Sequence, residues 1–582
     1  MFVALATDAY KLFHKDAYID GITKVYGNMT NRNSRLSNIP HEERDGVMNF
    51  GNQYYVTEYL IKQWNETFFQ VDKAIACKFL KSHVDAILDE DVDVSHFEAL
   101  HDLQYLPLEI KSLPEGVMVP YGVASTTYQT THDDFAWIGN YLETLHSQCV
   151  WPLQTSATTS RAYLKNTIKA YLASGVDPGV AWFMNHDFSA RGMFGPEAAM
   201  MSSMGQLTSS FGTDTIAGIM GVEKYYGAKV KGECVGKSVY ATEHSTATSF
   251  IMAIAQKEGI SKFDAELMYV RYLFTKVKEN KILSHVSDSF DFWKFVSEGI
   301  PLLKEDILAR SGKFVVRPDS GDPVEVLCGR EFKKVTDFND NVQSWKEAVA
   351  AELDEEFCDE LAEDCTNPIS CSTGFYRAPD GTPYKVTYEP ELNRHDKTYY
   401  YVDNYGDDLD FCTFTEMQLS SEDKGLVECL WDIFGGVETE VGYKILHDQI
   451  GAIYGDSITL VRQTEIYRRL MEKGFAPLVV MGVGSYSYQF VSRDTHGSAV
   501  KATYIEENGN SVNVCKDPKT DSKKKSAFGL LRIELEDGVY VQYDGQTQEQ
   551  EKQGELKTIF KDSKMILTTT LEEVRKNVLD SI

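Results

Sequence analysis

From residue 180 onward one rhythm constrains this chain more than any other feature: a short apolar run, a polar cluster, then a helical segment, repeated. Residues 181–184 lead to His186-Asp187-Phe188-Ser189-Ala190-Arg191-Gly192. The helix that follows opens at Pro196, since proline suits the first helical position. Phe211-Gly212-Thr213-Asp214-Thr215 precedes a helix that Gly227 ends as a C′ residue. Residues 238–241 run into Glu243-His244-Ser245-Thr246 and a helix to about Ile260, with Phe250, Ile251, Ile254 and Ala255 as its buried face. Residues 282–286 lead to Ser287-Asp288-Ser289-Phe290-Asp291, and 313–316 to Arg317-Pro318-Asp319-Ser320-Gly321-Asp322. Residues 443–446 precede Gly455-Asp456-Ser457 and another helix, and 477–481 end in Gly482-Val483-Gly484-Ser485. Repeated βα units with polar strand ends describe an α/β fold, a parallel barrel whose active face lies at the strand carboxyl ends. A doubly wound open sheet satisfies the periodicity nearly as well.

The flanks follow other rules. Tyr55, Val56, Tyr59, Leu60 and Trp64 share one side of a helix over 52–64; 65–115 reads as mostly helical and 116–130 as strands. A helix over 140–149 should stop before Pro152, with a second over 156–173. Between 323 and 440 the βα rhythm breaks. Ser344 and Glu347 form a capping box for a helix striped by Trp345, Val349, Leu353, Phe357 and Leu361. Its other face is acidic, with Glu352, Asp354, Glu355, Glu356, Asp359 and Glu360, and tyrosine-rich strands such as 398–402 follow. Six of the ten cysteines fall in this stretch: Cys328, Cys358, Cys365, Cys371, Cys412 and Cys429. Their spacing fits no zinc pattern, so they read as buried thiols. Past Arg493, two-residue alternation over 500–505, 530–536 and 539–543 indicates an antiparallel β layer. The expected organisation is an N-terminal α/β region over 1–150 packed with a C-terminal β-rich region over 491–582, a barrel over 151–490, and an inserted acidic α+β subdomain over 325–440 within it.

A net charge of -29 disfavours non-specific contact with nucleic acid or anionic membranes, and no apolar run approaches a membrane span. The start, Met1-Phe2-Val3-Ala4-Leu5, lacks a basic region and a cleavable apolar core. A cytoplasmic protein with reduced thiols is expected. Phosphates, if bound, must meet local arginines and lysines. The strand ends offer Arg191, Asp214, His244, Asp291, Arg317, Asp319, Asp456 and Arg493. Each alone reads as a surface ion pair; eight at equivalent positions read as a site. Arginine forks match phosphate geometry, and carboxylates suit ribose hydroxyls or Mg²⁺. His244 stands near a helix start, where anions are favoured. An imidazole there, beside Glu243, can accept a phosphoryl group or act as an acid or base. Lys516, Lys519, Lys523, Lys524 and Lys525 form either a solvated basic loop or a phosphate contact.

In these motifs and their order, with Ala6-Thr7-Asp8-Ala9-Tyr10-Lys11 and Lys516-Asp517-Pro518 at the two ends, the chain resembles the nicotinamide phosphoribosyltransferases of the type II phosphoribosyltransferase group. The resemblance runs through nearly the whole chain except the insertion. It implies an irregular parallel α/β barrel with a β-rich layer from the two termini. The implied activity moves phosphoribose from phosphoribosyl pyrophosphate to nicotinamide, with Mg²⁺, and with ATP phosphorylating His244. By the same resemblance Phe188 and Tyr10 sandwich the pyridine ring, Tyr10 coming from the other subunit of a homodimer, and Asp214 accepts from the amide. Arg191, His244 and Arg317 meet pyrophosphate; Asp319, Gly455 and Asp456 surround the ribose; Ser485 and Arg493 contact nucleotide phosphate. Ser238, Ser287 and Gly484 join the substrate-binding set, and Arg32, Lys501, Lys516 and Lys524 the basic residues around phosphates, partly from the partner chain. His244, Asp291 and Asp319 form the catalytic set, with Asp288 or Asp291 orienting the imidazole. No particular Mg²⁺ ligands are assigned.

This chain also departs from the pattern. Gly482-Val483-Gly484-Ser485-Tyr486 is bulkier at two places than the group's glycine run, and Ser457 follows Asp456 where glycine is usual. Two rival functions remain open. One is use of nicotinate, which Asp214 disfavours because two carboxylates repel. The other is an inactive relative serving as a binding or regulatory protein.

Overall fold

The computed structural model describes residues 1–335, 344–363, 371–390, 392–395, 398–401, 408–515 and 527–582. The chain forms two units: Met1–Val239 with Ile453–Thr464 and Leu478–Ile582, and Tyr240–Ala452 with Glu465–Pro477. The division falls inside the stretch expected as one barrel, and both termini belong to the first unit.

In the first unit the termini build one seven-stranded antiparallel sheet. Its order is Asn510–Asn513, Ser498–Glu507, Ile22–Asn31, Ala124–Thr130, Leu108–Ser112, Lys557–Lys561 and Lys564–Met565. Strands from the N-terminal and C-terminal parts of the chain thus pair in one sheet. Residues 65–115 are helical only over Asn65–Phe69, Lys73–Leu88 and Ser95–Leu103, and end in the strand Leu108–Ser112. The helix expected over 52–64 buries Tyr55, Val56, Tyr59, Leu60 and Trp64 as anticipated, but winds as a π-helix over Tyr55–Gln63.

One helix, Glu143–Ser174, replaces the two expected on either side of Pro152. An interior proline costs about 3 kcal/mol. Against this, Leu145, Cys149 and Val150 before it and Leu153, Ala157 and Leu164 after it are all buried. Each buried leucine or valine among them contributes about 1.5–3 kcal/mol, so a shared buried face outweighs one lost hydrogen bond.

The strand expected at 181–184 is a 3-10 turn, Pro178–Phe183, and the strand itself is Asn185–Asp187. Asp177 caps that turn by accepting the Gly179 N–H at 2.9 Å, with Pro178 at its first position. Local capping therefore overrides a short apolar run. Asn185–Asp187 pairs in parallel with Val480–Val483, which pairs in turn with Ile453 and Tyr454. Single parallel bridges, Asp187 with Thr213 and Gly212 with Lys237, extend the array. Helices Pro196–Gln206 and Ile216–Tyr226 follow as expected, the second ended by Gly227 at φ 61°.

In the second unit Tyr240–Ala241, Leu283–Val286, Phe314–Arg317 and the start of Ile450–Tyr454 are successive parallel neighbours. Residues 443–446 are not one of these strands: Lys444–Leu446 forms an antiparallel ribbon with Gly436–Glu438. The wholly buried Ile450–Tyr454 takes the parallel position instead. Helix His244–Glu258 buries Ala247 and Ile251 against Ala265 and Tyr269, with Ile254 and Ala255 packed beside them. Phe250, expected on that face, is 55% exposed.

The insertion builds a four-stranded sheet, Lys333–Lys334, Ser372–Arg377, Pro383–Tyr388 and Cys412–Glu416, under helix Trp345–Glu363. Val349, Leu353 and Phe357 interlock with Tyr376, Val386 and Tyr388, while Trp345 and Leu361 pack at the margin. The sequence stripe is thus the core of this layer. Its carboxyl boundary lies earlier than expected, because helices Ser421–Lys424 and Leu426–Phe434 pack on Pro323–Cys328 and Ile300–Leu308 outside it. Cys365 lies outside the described residues.

Candidate active site

Functional side chains gather at the carboxyl ends of both parallel arrays. In the first unit, backbone bonds align the strand ends: Phe188 N–H to Val483 O at 3.0 Å, Asp214 N–H to Asp187 O at 3.0 Å and Thr213 N–H to Lys237 O at 3.0 Å. Asp187, fully buried, fixes the turn after its strand by accepting the Ser189 N–H at 2.8 Å. These bonds present Phe188, Asp214 and Ser238 side by side. The Asp214 Oδ1 lies 2.8 Å from His186 Nε2 and also accepts the Ser238 hydroxyl. The His186 ring lies 4.6 Å from that of Phe188. A half-exposed carboxylate, oriented by two donors and linked through an imidazole to an aromatic face, can accept a hydrogen bond from an N–H donor on a flat ring. His186 carries no role in the sequence reading; its signal was position, two residues before Phe188 on a strand and so on the same face.

Glycines allow close approaches around this cluster. A Cβ on Gly482 would stand 2.4 Å from the Tyr454 carbonyl oxygen, and one on Gly484 would stand 2.0 Å from Asp456 Oδ1. A Cβ on Gly192 would stand 2.1 Å from Ser485 Oγ, so the Arg191 turn lies against the start of helix Ser485–Gln489. Arg191, Asp456, Ser485, Gly484 and Gly455 therefore border one region of this unit. Ser457 holds φ 65°, the left-handed region that favours glycine.

Tyr10, Arg32, Arg493 and Lys501 also belong to the first unit. Tyr10 is 64% exposed and its hydroxyl donates to Asp8 at 3.2 Å. Burial and Asp8 push that hydroxyl's pKa up, while Arg493 opposes them. Arg32 donates to the Gly497 carbonyl at 2.9 Å. Lys516 and Lys524 lie outside the described residues.

In the second unit His244 is the first residue of its helix, with Glu243 as N-cap. Its Nε2 lies 3.4 Å from Asp288 Oδ1 and 3.7 Å from Asp319 Oδ2, and its Nδ1 lies 3.4 Å from Ser289 Oγ. Asp288 ties the next strand end down by accepting the Asp319 N–H at 2.9 Å and the Ser320 hydroxyl. Arg317 lies 3.6 Å from Asp319 Oδ1. Ser287 donates its N–H to the Arg317 carbonyl at 2.9 Å. Asp291 is not beside the imidazole: it caps the short helix Phe292–Lys294 by accepting the Lys294 N–H at 3.0 Å. The carboxylates facing His244 are Asp288 and Asp319.

A buried chain supports this arrangement from behind. Thr242 Oγ1 accepts the Val286 N–H at 2.9 Å and lies 3.1 Å from His285 Nδ1, and His285 Nε2 lies 3.3 Å from Glu266. It pins the strand end two residues before His244 to the strand end two residues before Asp288. Sequence reading missed it because Glu266 lies mid-helix, where a carboxylate ordinarily faces water.

Two parallel arrays, one ending in a carboxylate-backed aromatic and the other in a histidine facing two aspartates, define an α/β enzyme. The chain belongs to the nicotinate phosphoribosyltransferase (NAPRTase) family, whose model matches residues 183–356 and 401–564. It is 37% identical to a nicotinamide phosphoribosyltransferase of Acinetobacter baylyi, over 99% of this chain and 97% of that protein. A Mycoplasma pneumoniae protein of the same name is 26% identical over 90% of this chain and 94% of its own. Among solved structures, nicotinate-nucleotide pyrophosphorylase from Pyrococcus furiosus aligns with 99% of this chain and 95% of its own, at 12% identity and a TM-score of 0.48.

Proposed function

We propose that this chain transfers phosphoribose from phosphoribosyl pyrophosphate to the ring nitrogen of nicotinamide, forming nicotinamide mononucleotide and pyrophosphate. The observation that carries this reading is Asp214, whose carboxylate is held by His186 and Ser238. A fixed carboxylate accepts from an amide N–H and repels a carboxylate, so nicotinamide fits and nicotinate does not. Phe188 stacks on the ring and holds its nitrogen, a modest nucleophile, in line with the anomeric carbon. Arg191 and Arg317 take the charge of the departing pyrophosphate, and Asp319, Gly455 and Asp456 position the ribose.

Asp288 Oδ1 and Asp319 Oδ1 are buried without a hydrogen-bond partner. That donor set suits Mg²⁺, which takes one or two carboxylates together with substrate phosphates. No group of three or more metal-binding side chains occurs among the described residues, so these two carboxylates would hold the ion together with substrate phosphates. Bound there, Mg²⁺ supplies countercharge to the leaving pyrophosphate. We assign ATP's phosphoryl group to His244, where the negative charges of Asp288 and Asp319 near Nε2 favour the tautomer protonated there and leave Nδ1 as the nucleophile. We further propose a homodimer in which Tyr10, Arg32, Arg493, Lys501, Lys516 and Lys524 complete the partner's site. The side-by-side exposure of Tyr10 and Arg493 supports it.

The test is incubation with phosphoribosyl pyrophosphate, Mg²⁺ and either base, with and without ATP. Mononucleotide from nicotinamide, raised by ATP, supports the assignment; no product from either base overturns it. Labelled ATP should give an acid-labile phosphoprotein that His244→Ala abolishes, and label surviving that substitution moves the acceptor elsewhere.

A further inference from the structure

In the second unit a cleft of about 400 Å³ lies between the insertion's sheet and the ribbon and helices beside it. Its volume falls in the range of small-molecule sites, about 300–1,000 Å³. Its charges do not cancel. Its wall carries six cations, Arg330, Lys334, Arg377, Lys444, Arg469 and Lys473, against four carboxylates, and each carboxylate is already engaged: Glu428 meets Lys473 at 2.6 Å, Asp432 meets Lys424 at 2.7 Å, and Glu331 and Glu472 share Arg468. Two of its arginines are likewise satisfied, Arg330 by Asp423 and Arg469 by Glu325, each at 2.7 Å.

Lys334, Arg377 and Lys444 remain. Among the described residues none of them has a carboxylate within 4.0 Å. Lys334 donates to the Glu472 carbonyl at 3.3 Å, and Arg377 to the Gly381 carbonyl at 3.1 Å. Lys444 lies over Trp431 and Phe475, 5.4 and 5.3 Å from their ring centres, and Arg377 lies 5.0 Å over Phe332. Carbonyls and ring faces hold these cations in place without cancelling their charge. Three fixed cations with no carboxylate partner among the described residues line one cleft of a chain of net charge -29, where the long-range field repels anions and only a local cluster can hold one.

We propose that this cleft binds a small, multiply charged, phosphate-bearing anion, with Lys334, Arg377 and Lys444 as its contacts. It uses none of the residues assigned to phosphoribosyl transfer. Lys334 and Arg377 end two strands of the insertion's sheet, and Lys444 opens the ribbon strand that precedes Ile450–Tyr454. A bridging anion would therefore tie the insertion to the array that carries Arg317.

The full-length protein can be probed with pyridoxal 5′-phosphate and borohydride, which mark lysines at phosphate sites, followed by peptide mass spectrometry. Lys334 and Lys444 should be marked, and pyrophosphate or ATP should suppress the marking where sodium chloride of equal ionic strength does not. Comparing these two competitors with inorganic phosphate separates a polyphosphate site from a nucleotide site and from a general anion site. Marking that pyrophosphate and ATP leave unchanged overturns the proposal. In equilibrium dialysis with labelled pyrophosphate, wild type should show two classes of site. The Lys334→Gln, Arg377→Gln, Lys444→Gln triple variant should weaken one class by roughly tenfold or more, and Arg191→Ala should weaken the other. A single class, lost with Arg191→Ala, also overturns it. The labelling arm uses wild type, so a misfolded triple variant does not remove the test.

Discussion

Replacing Asp214 by asparagine removes a charge while keeping shape and hydrogen-bonding capacity toward His186 and Ser238. Two unit charges about 4 Å apart repel by about 1 kcal/mol in water and about 4 kcal/mol at the effective dielectric of a protein surface. The Asp214 side chain is 43% exposed, which places its repulsion of a nicotinate carboxylate near the middle, at about 2 kcal/mol. Its charge-assisted bond from the nicotinamide N–H adds about 1.5–3 kcal/mol in the other direction. Together these come to about 3.5–5 kcal/mol, so wild type should prefer nicotinamide by roughly 300- to 4,000-fold in kcat/KM. The asparagine variant should lose both terms and fall to within roughly tenfold selectivity, mainly by losing nicotinamide efficiency and gaining nicotinate. The assay is steady-state turnover of each labelled base at saturating phosphoribosyl pyrophosphate. A wild-type ratio near one, or a ratio unchanged in Asp214→Asn, would show that this carboxylate does not read the substituent.

Ser457→Gly should stabilise the protein by about 1 kcal/mol, the cost of holding a side chain at φ 65°; an unchanged or lower urea midpoint refutes this. Replacing residues 336–418 by a short Gly/Ser linker should leave a folded protein, since loop length costs little. Removing 326–439 should not, because it takes away helix Leu426–Phe434, which packs outside the insertion; equal melting behaviour of the two deletions would contradict that boundary. Co-assembled Arg191→Ala and Arg493→Ala chains should form heterodimers with one doubly damaged and one intact site, regaining about half of wild-type activity per dimer. Verified heterodimers as inactive as their parents would refute shared sites. Burial lowers His96, His146 and His496 to about 4. Between that value and the ordinary 6.5 the unfolded chain binds more protons, so stability is full above that range and falls as pH drops through it. The loss is about 3 kcal/mol per histidine at most, and urea midpoints that stay flat from pH 7 to 5 would contradict it.

What the sequence determined by itself was local in origin. The stripe from Trp345 to Leu361, the helix starts at Pro196 and His244, and the stop at Gly227 depend on neighbours a few residues apart. Most of the chemistry-bearing strand ends were legible for the same reason, because their polar clusters directly follow an apolar run. Tertiary structure decided what depends on distant partners. Pro152 stays inside a helix because side chains on both sides share one buried face. Lys444–Leu446 gives its expected place to Ile450–Tyr454, since only the latter is buried throughout as an inner parallel strand must be. Asp288 and Asp319 face His244 while Asp291 turns away to cap a helix. Three aspartates within about thirty residues look alike in a sequence, and only strand pairing decides which carboxylate meets the imidazole. The same holds for Lys334, Arg377 and Lys444, which are ordinary surface cations until folding brings them to one cleft, where none has a carboxylate partner among the described residues.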